Sequence, residues 1–490
     1  MEWIAALLLA GHYVVLGVLC LFGAHRFYIT ALAQRRYRQP SPLARLQTLP
    51  TVTVQLPLFN ERAVARRVID AAAALDYPAD RLQIQVLDDS TDDTSHIVAE
   101  GVAHHAARGV RIEHLRRSDR VGFKAGALAA ALQRASGEYV AVFDADFLPE
   151  KELLRSMIQH FADPRVGMVQ AQWDYLNRRD SLLTRLQGML LDAHFTVEQT
   201  GRSAGDRFFN FNGTAGIWRR AAIIDAGGWQ ADTITEDLDL SYRAQLARWR
   251  FVYLRDVRCM SELPSDMNAF KSQQRRWSKG GIEVMRKLLP RLWRTPIAPA
   301  QRLEGTVHLT SNLSHLLILL DGLFFLIPAV MLRQSIIPFP PVWVDLVLFT
   351  FGGLSHVYFY LGAQASLGRS VLAQAWQVPL LMATSIGLSR NNGVGVLEAL
   401  LGRRTAFVRT PKQGAKARPD YFVAVSRVGE ALEVAVGLIY VWATLWCVQQ
   451  QVYMAVPFMA MFAFGFLYTG VSSIVAQLER RRPRAVVALT

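Results

Sequence analysis

Hydropathy divides this chain more sharply than any motif does. Residues 3–24 and most of 306–474 are apolar at bilayer-crossing lengths, whereas 45–300 alternates short apolar runs with charged stretches. A transmembrane helix needs about 20 consecutive apolar residues. Backbone inside hydrocarbon must also satisfy its own hydrogen bonds, which restricts such runs to helices or closed barrels. The expected architecture is a soluble domain carried on a helical membrane region. With 490 residues, 51% of them hydrophobic, the chain is long enough to bury more than one core.

Flanking charge sets the orientation. No basic region precedes the first apolar run, while Arg26, Arg35, Arg36 and Arg38 follow it. Cations hold that side in the cytosol, so the segment reads as an anchor with its N-terminus outside, not as a cleaved signal. Further spans are expected near 308–332, 342–366, 429–449 and 452–474. The run 371–388 is apolar but carries Gln374, Gln377 and Pro379. If it crossed, Arg390, Arg403, Arg404, Arg409, Lys412, Lys416, Arg418 and the Arg480–Arg484 tail would all lie outside, against the positive-inside bias. An interfacial or re-entrant 371–388 keeps them in the cytosol, which gives five spans.

The resulting organisation is a transmembrane helix at 1–25, a cytosolic domain at 45–300 ending in an interfacial helix, and two transmembrane helices within 306–366. An interfacial segment and cytosolic loop occupy 367–428, two more transmembrane helices 429–475, and a basic cytosolic tail 476–490. The net charge of +14 then reads as contact with membrane lipids and anionic ligands. Nucleic acid is the poorer partner, because the membrane segments leave little basic face free. An arginine- and alanine-rich chain of this kind points to a bacterial inner (plasma) membrane. Cys20, Cys259 and Cys447 are too scattered for a disulfide framework or a zinc site.

Within the soluble part, short runs at 51–56, 83–87, 111–115 and 138–143 read as strands, separated by helical stretches near 60–75, 91–107 and 122–135. Strand and helix in alternation imply a mostly parallel, Rossmann-like sheet covered on both faces. Ligands gather at the carboxyl ends of such strands. There the sequence places Pro57-Leu58-Phe59-Asn60-Glu61, then Asp88-Asp89-Ser90, then Asp144-Ala145-Asp146. No dinucleotide glycine fingerprint or phosphate-loop lysine-serine motif accompanies them, which argues against hydride-transfer and P-loop chemistry. Carboxylates two apart on an extended strand end share a face. Asp144 and Asp146 can thus hold a hard divalent cation, Mg2+ or Mn2+, with substrate phosphates supplying other oxygens.

Two further stretches carry polar chemistry. "TITEDLDLSYRAQLARW", 233–249, opens an amphipathic helix on Glu236, Asp237 and Asp239, which helix-dipole compensation alone would explain. "SQQRRWSKG", 272–280, combines Gln273, Arg276 and Trp277 ahead of a basic amphipathic segment. An aromatic face there can stack on a sugar ring, and the guanidinium can pair with phosphate oxygens.

Together these stretches resemble the membrane-embedded, inverting family 2 glycosyltransferases, the group that includes cellulose, chitin and hyaluronan synthases. Within it, the chain is most similar to the cellulose-synthase-like A and C proteins, which make β-1,4-mannan or glucomannan and β-1,4-glucan backbones. The resemblance is carried by "QLPLFNE", "QVLDDSTDDT", "GFKAGAL", "VFDADFLPE", "DAHFTVEQ", "FNGTAGIWRRAAI", "GGW", "TEDLDLSYRA", "SELPSDMNAFKSQQRRW" and "FVRTPK". It implies a glycosyltransferase A-type cytosolic domain, a nucleotide-sugar donor (GDP-mannose or UDP-glucose) and a polysaccharide acceptor.

By this resemblance Glu61, Asp88 and Asp89 contact base and ribose, Lys124 approaches the diphosphate, and Asp144 and Asp146 bind diphosphate and metal. Asp237 is the general base with Glu236 beside it. Gln273, Arg276 and Trp277 line the acceptor and pyrophosphate end, and His194 and Asn212 belong to the acceptor pocket. Phe407, Thr410 and Lys412 match a gating loop that closes over donor, although Arg409 stands where a valine is usual. The tryptophans at 173, 218, 229 and 249 read as packing, with Trp173 the closest to a sugar platform. A second reading keeps the chemistry but gives the sugar to a ceramide or diacylglycerol acceptor, and product size separates the two. A degenerate scaffold or transporter would have lost the acidic pair or the base, and this chain keeps both.

Overall fold

The computed structural model describes residues 2–38, 40–335, 342–403 and 427–481. Its soluble part is built on seven strands: β1 (Val52–Leu58), β2 (Leu82–Asp88), β3 (Ile112–Arg116), β4 (Tyr139–Val142), β5 (Val166–Tyr175), β6 (Gly216–Arg219) and β7 (Arg250–Ser261). They lie in the order β3-β2-β1-β4-β6-β5-β7. β1 pairs in parallel with β2 and β4, β2 with β3, and β5 with β7, so only β6 runs against its neighbours. β1, β2 and β4 are buried at nearly every position because helices cover both faces. Such strands read as continuous apolar runs, which is why 51–56, 83–87 and 138–143 stood out in the sequence.

Val54, Leu56, Ile84, Val86 and Ala141 fill the core on one face of the sheet; Val140, Val142, Met168, Trp218 and Phe251 fill the other. At about 25 cal/mol per Å2 of apolar surface, each of these large side chains contributes about 1.5–3 kcal/mol. Trp218 is fully enclosed and Trp229 nearly so, in keeping with packing roles. Trp173 is half-buried between Phe147 and Phe195.

Among the described residues six helices are long and apolar enough to cross a membrane: Trp3–Arg35, Leu313–Arg333, Trp343–Ser366, Val371–Leu400, Val428–Gln449 and Val456–Glu479. The fourth differs in its contacts. Just ahead of it, Arg369 pairs with Asp192 of the soluble domain at 2.5 Å. Along it, Val378 and Leu381 pack with Leu186 and Met189, and Leu388 with Met267 and Phe270. Near its end Glu398 accepts from Arg275 at 2.7 Å. Its middle also packs on other membrane helices, Gly387 against the Gly465 backbone and Gly393 against Leu319, so it lies between the soluble domain and the membrane region.

One helix, Met267–Arg294, joins the two halves of the molecule. Asp266 caps it by accepting from the amides of Asn268 and Ala269. Lys271 pairs with Glu433 of a membrane helix at 2.5 Å, and Arg390 reaches the same carboxylate at 3.0 Å.

Candidate active site

The strand ends bring most of the expected acids together. Lys124, in the helix Phe123–Leu132, donates to Asp144 Oδ1 at 2.5 Å and to the Gly213 carbonyl at 2.9 Å, and its Nζ lies 3.9 Å from Glu236. Gly213 has φ +81°, and a Cβ there would sit 3.0 Å from Asp237 Oδ2 and 3.5 Å from Lys124 Nζ. Lys124 thus bridges Asp144 and the Gly213 carbonyl, and the Asp237 carboxylate lies beside the same glycine. Arg276 lies within electrostatic range of Glu236, Asp144, Asp237 and Asp146.

Of the three acids that open the helix Glu236–Leu246, only Asp239 is a structural counter-ion. It is fully buried and bound by Arg243 at 2.6 Å and Lys287 at 2.9 Å. The N-cap, Thr235, makes no capping bond with its side chain. Glu236 and Asp237 instead face Lys124 and Arg276. Burial, reinforced by Asp237 and Asp144, pushes the Glu236 carboxyl up to about 7 against the pull of Lys124. Burial also raises Asp237, and Lys124 again opposes it. Burial lowers Lys124, but Asp144 and Glu236 outweigh this and hold its ammonium above the ordinary range. The site is a desolvated cluster of acids around two cations, where added charge is felt strongly.

The other expected residues take distinct places. Asp88 is buried at the end of β2 and accepts from Ser90 N and His114 Nε2, each at 2.9 Å. Burial would raise its carboxyl, but these bonds hold it well below the usual range. Asp89 is gripped at both oxygens by Arg117 at 3.0 and 2.5 Å. Glu61 is buried after β1. Trp277 packs against Tyr175, Leu191 and Leu263, one turn beyond Gln273 on the same helix. His194 bonds Asn212 Oδ1 through Nε2 at 2.9 Å and Glu198 through Nδ1 at 2.8 Å. Phe407, Arg409, Thr410 and Lys412 lie outside the described residues.

Sequence reasoning passed over Glu198, which Arg202 and His194 hold well below the usual carboxylate range despite its burial. The available signal was its i,i+4 spacing from His194, and the structure adds a π-helical turn at His194–Gln199. Such turns are frequent at functional sites. Tyr175 was also passed over, although it shares a cluster with Trp277.

Asp144 and Asp146 are the carboxylates that suit a divalent cation. No set of three or more His, Cys, Asp or Glu side chains converges as a metal cage among the described residues. The pair fits Mg2+ or Mn2+ nonetheless, because such ions commonly take one or two carboxylates and complete their shell with substrate phosphates and water. Lys124 already donates to Asp144 Oδ1, so a metal bound there would share this carboxylate with the ammonium.

Residues 50–280 match the profile of the glycosyltransferase-like family 2. Glucomannan 4-beta-mannosyltransferase 2 of Arabidopsis thaliana is 50% identical over 245 residues, covering 49% of this chain and 46% of the relative. Glucomannan 4-beta-mannosyltransferase 1 of Oryza sativa subsp. japonica is 46% identical over 270 residues, covering 52% of this chain and 51% of the relative. The chain spans about half the length of these curated relatives. Among solved structures, a mannosyltransferase of Pyrobaculum calidifontis in complex with GDP-Man and Mn2+ superposes with a TM-score of 0.52 at 20% identity. That match covers 80% of this chain and all of the other, and at this identity it speaks to the fold alone. With the mostly parallel sheet and the acids at its strand ends, these matches identify residues 50–280 as a glycosyltransferase-like family 2 domain, similar in sequence to part of the plant glucomannan mannosyltransferases.

Proposed function

We propose that the protein is a membrane-bound inverting hexosyltransferase that extends a β-1,4-linked mannan or glucomannan from a nucleotide sugar. The observation that carries this reading is the convergence of Asp144, Glu236 and Asp237 on Lys124 and Arg276 within the family 2 domain. In this reading Asp237 takes the proton from the acceptor hydroxyl, which attacks the anomeric carbon opposite the leaving group. A raised proton affinity suits that task, since general bases work best near the operating pH. Arg276 and Lys124 pair with the departing diphosphate, a charge-assisted interaction strengthened by burial. Mg2+ or Mn2+, held by Asp144 and Asp146, would add Lewis-acid stabilisation of the leaving group.

GDP-mannose is the favoured donor over UDP-glucose because the similar plant proteins are named as mannosyltransferases. Trp277 offers a stacking face for the acceptor sugar, and the polar edge formed by His194 and Asn212 offers hydrogen bonds to its hydroxyls. The protein is integral to the membrane, with its catalytic domain in the cytosol and the Val371–Leu400 helix lying along the interface. Five crossings rest on the positive-inside bias, which keeps the basic residues after this helix in the cytosol although six helices among the described residues have spanning length. The basic flanks and arginine-rich composition fit a bacterial inner membrane. The membrane helices packed on the Met267–Arg294 helix, which carries Trp277, would receive the growing chain and pass it outward. Transfer to a lipid is less favoured, since the named relatives build glucomannan.

The test is to incubate the purified full chain in detergent with labelled GDP-mannose or UDP-glucose plus Mn2+. The product is then digested with β-1,4-mannanase or β-1,4-glucanase. A mannanase-sensitive aqueous polymer is expected; a single sugar on extracted lipid would overturn the polymer reading.

A further inference from the structure

Residues 227–235 lead into the catalytic acids as irregular backbone, linking the end of the helix Arg220–Asp225 to the helix Glu236–Leu246. Irregular backbone does not hold a side chain within the fraction of an ångström that proton transfer demands. What holds this stretch is the helix Met267–Arg294. Thr235 abuts Gly280 so closely that a Cβ on the glycine would meet the Thr235 side chain at 2.5–2.6 Å. One turn on, Glu283 Oε2 accepts from the Ile234 amide at 2.8 Å. Another turn on, Lys287 Nζ donates to Gln230 Oε1 and Asp232 Oδ1, each at 2.7 Å, and pairs with the Asp239 carboxylate at 2.9 Å.

Positions 276, 280, 283 and 287 are spaced by four, three and four, so they form one helical face. The same face presents Arg276 to the acids and clamps the segment that carries them. We infer that Glu283 and Lys287 are positioning residues for the base, with one helix setting the distance between Asp237 and the Arg276-Trp277 end of the site. This inference rests on the proposed role of Asp237. Glu283 serves as an acceptor only, so an amide oxygen can replace it. Lys287 serves as donor to two side chains and counter-ion to a third, which an apolar chain of similar length cannot replace.

The experiment compares Glu283→Gln, Glu283→Ala and Lys287→Met with wild type and with Asp237→Asn. It measures kcat, acceptor KM, donor Kd by calorimetry with GDP-mannose, and melting temperature in detergent. Misplacement of a reacting group by about 1 Å costs on the order of a hundredfold. Glu283→Ala and Lys287→Met are therefore expected to lose about tenfold to a hundredfold in kcat, with donor Kd within about threefold. The melting temperature should hold in Glu283→Ala and fall in Lys287→Met, which strips one cation from the buried Asp239. Glu283→Gln should stay within about threefold of wild type. Unchanged kcat in both disruptive variants, or a parallel loss of kcat, donor affinity and melting temperature in Glu283→Ala, overturns the clamp. A fully active Asp237→Asn instead sinks the assignment of the base, so the two failures are distinguishable.

Discussion

The charge state of Glu236 makes the sharpest quantitative prediction. Its side chain is almost wholly buried and its carboxyl is pushed up to about 7 from the ordinary 4.5, first by burial and then by Asp237 and Asp144. Each tenfold change in proton affinity is worth about 1.4 kcal/mol. Ionised Glu236 therefore costs the ligand-free fold about 3 kcal/mol. The sign follows from linkage: a group whose affinity for protons rises on folding gives stability that is fully present below pH 4.5. That stability is lost as pH climbs through about 7. Glu236→Gln removes the ionisation and should stabilise the metal- and donor-free protein at pH 8.5 but hardly at pH 5. For a domain of about 150–250 residues, 1 kcal/mol moves the melting temperature by about 2–4 °C, so a rise of roughly 6–12 °C is expected at the higher pH. Differential scanning fluorimetry in detergent with EDTA reads this directly. An equal shift at both pH values, or a fall at pH 8.5, would refute the claim that desolvated repulsion dominates this carboxyl.

Three other outcomes follow from the geometry. Gly213→Ala places a side chain on a backbone with φ +81° and 3.0 Å from Asp237 Oδ2. It should lower kcat by about tenfold or more while donor Kd, measured by calorimetry, changes little. The acid limb of kcat/KM should lie above the usual carboxylate range, because burial raises both Glu236 and Asp237; a limb near pH 4 would contradict this. Lys271→Met strips one cation from the fully buried Glu433 and should cost about 3–5 kcal/mol in thermal or denaturant unfolding, with the loss only partly recovered in Lys271→Met/Glu433→Leu because Arg390 then loses its carboxylate.

Local pattern carried some of these features and not others. The strands β1, β2 and β4 were legible because strands buried on both faces are continuous apolar runs flanked by turn residues. β6 is four residues long and runs antiparallel, and β7 mixes exposed arginines with buried positions, so neither announces itself by periodicity. Asp144 and Asp146 declared themselves by standing two apart at a strand end. The division of labour in "TEDLD" did not. Which of Glu236, Asp237 and Asp239 is a structural counter-ion depends on Arg243, Lys287 and Lys124, and only the fold brings Lys287 and Lys124 there. His194 was ambiguous for the same reason, because its meaning lies in Asn212, 18 residues away, and in a π-helical turn that no spacing rule anticipates. The reach of the Met267–Arg294 helix is likewise tertiary. Its sequence reads as basic and amphipathic, while its function resides in what each polar position touches.

The account stands on Asp237 acting as the base in a pocket shared with Asp144, Lys124 and Arg276. Single-turnover transfer by Asp237→Asn, measured beside calorimetric donor binding in the presence of Mn2+, tests it most directly. Sugar transfer at least a hundredfold slower (on the order expected for losing a general base) with GDP-mannose binding retained is the predicted result. Transfer at the wild-type rate would contradict it.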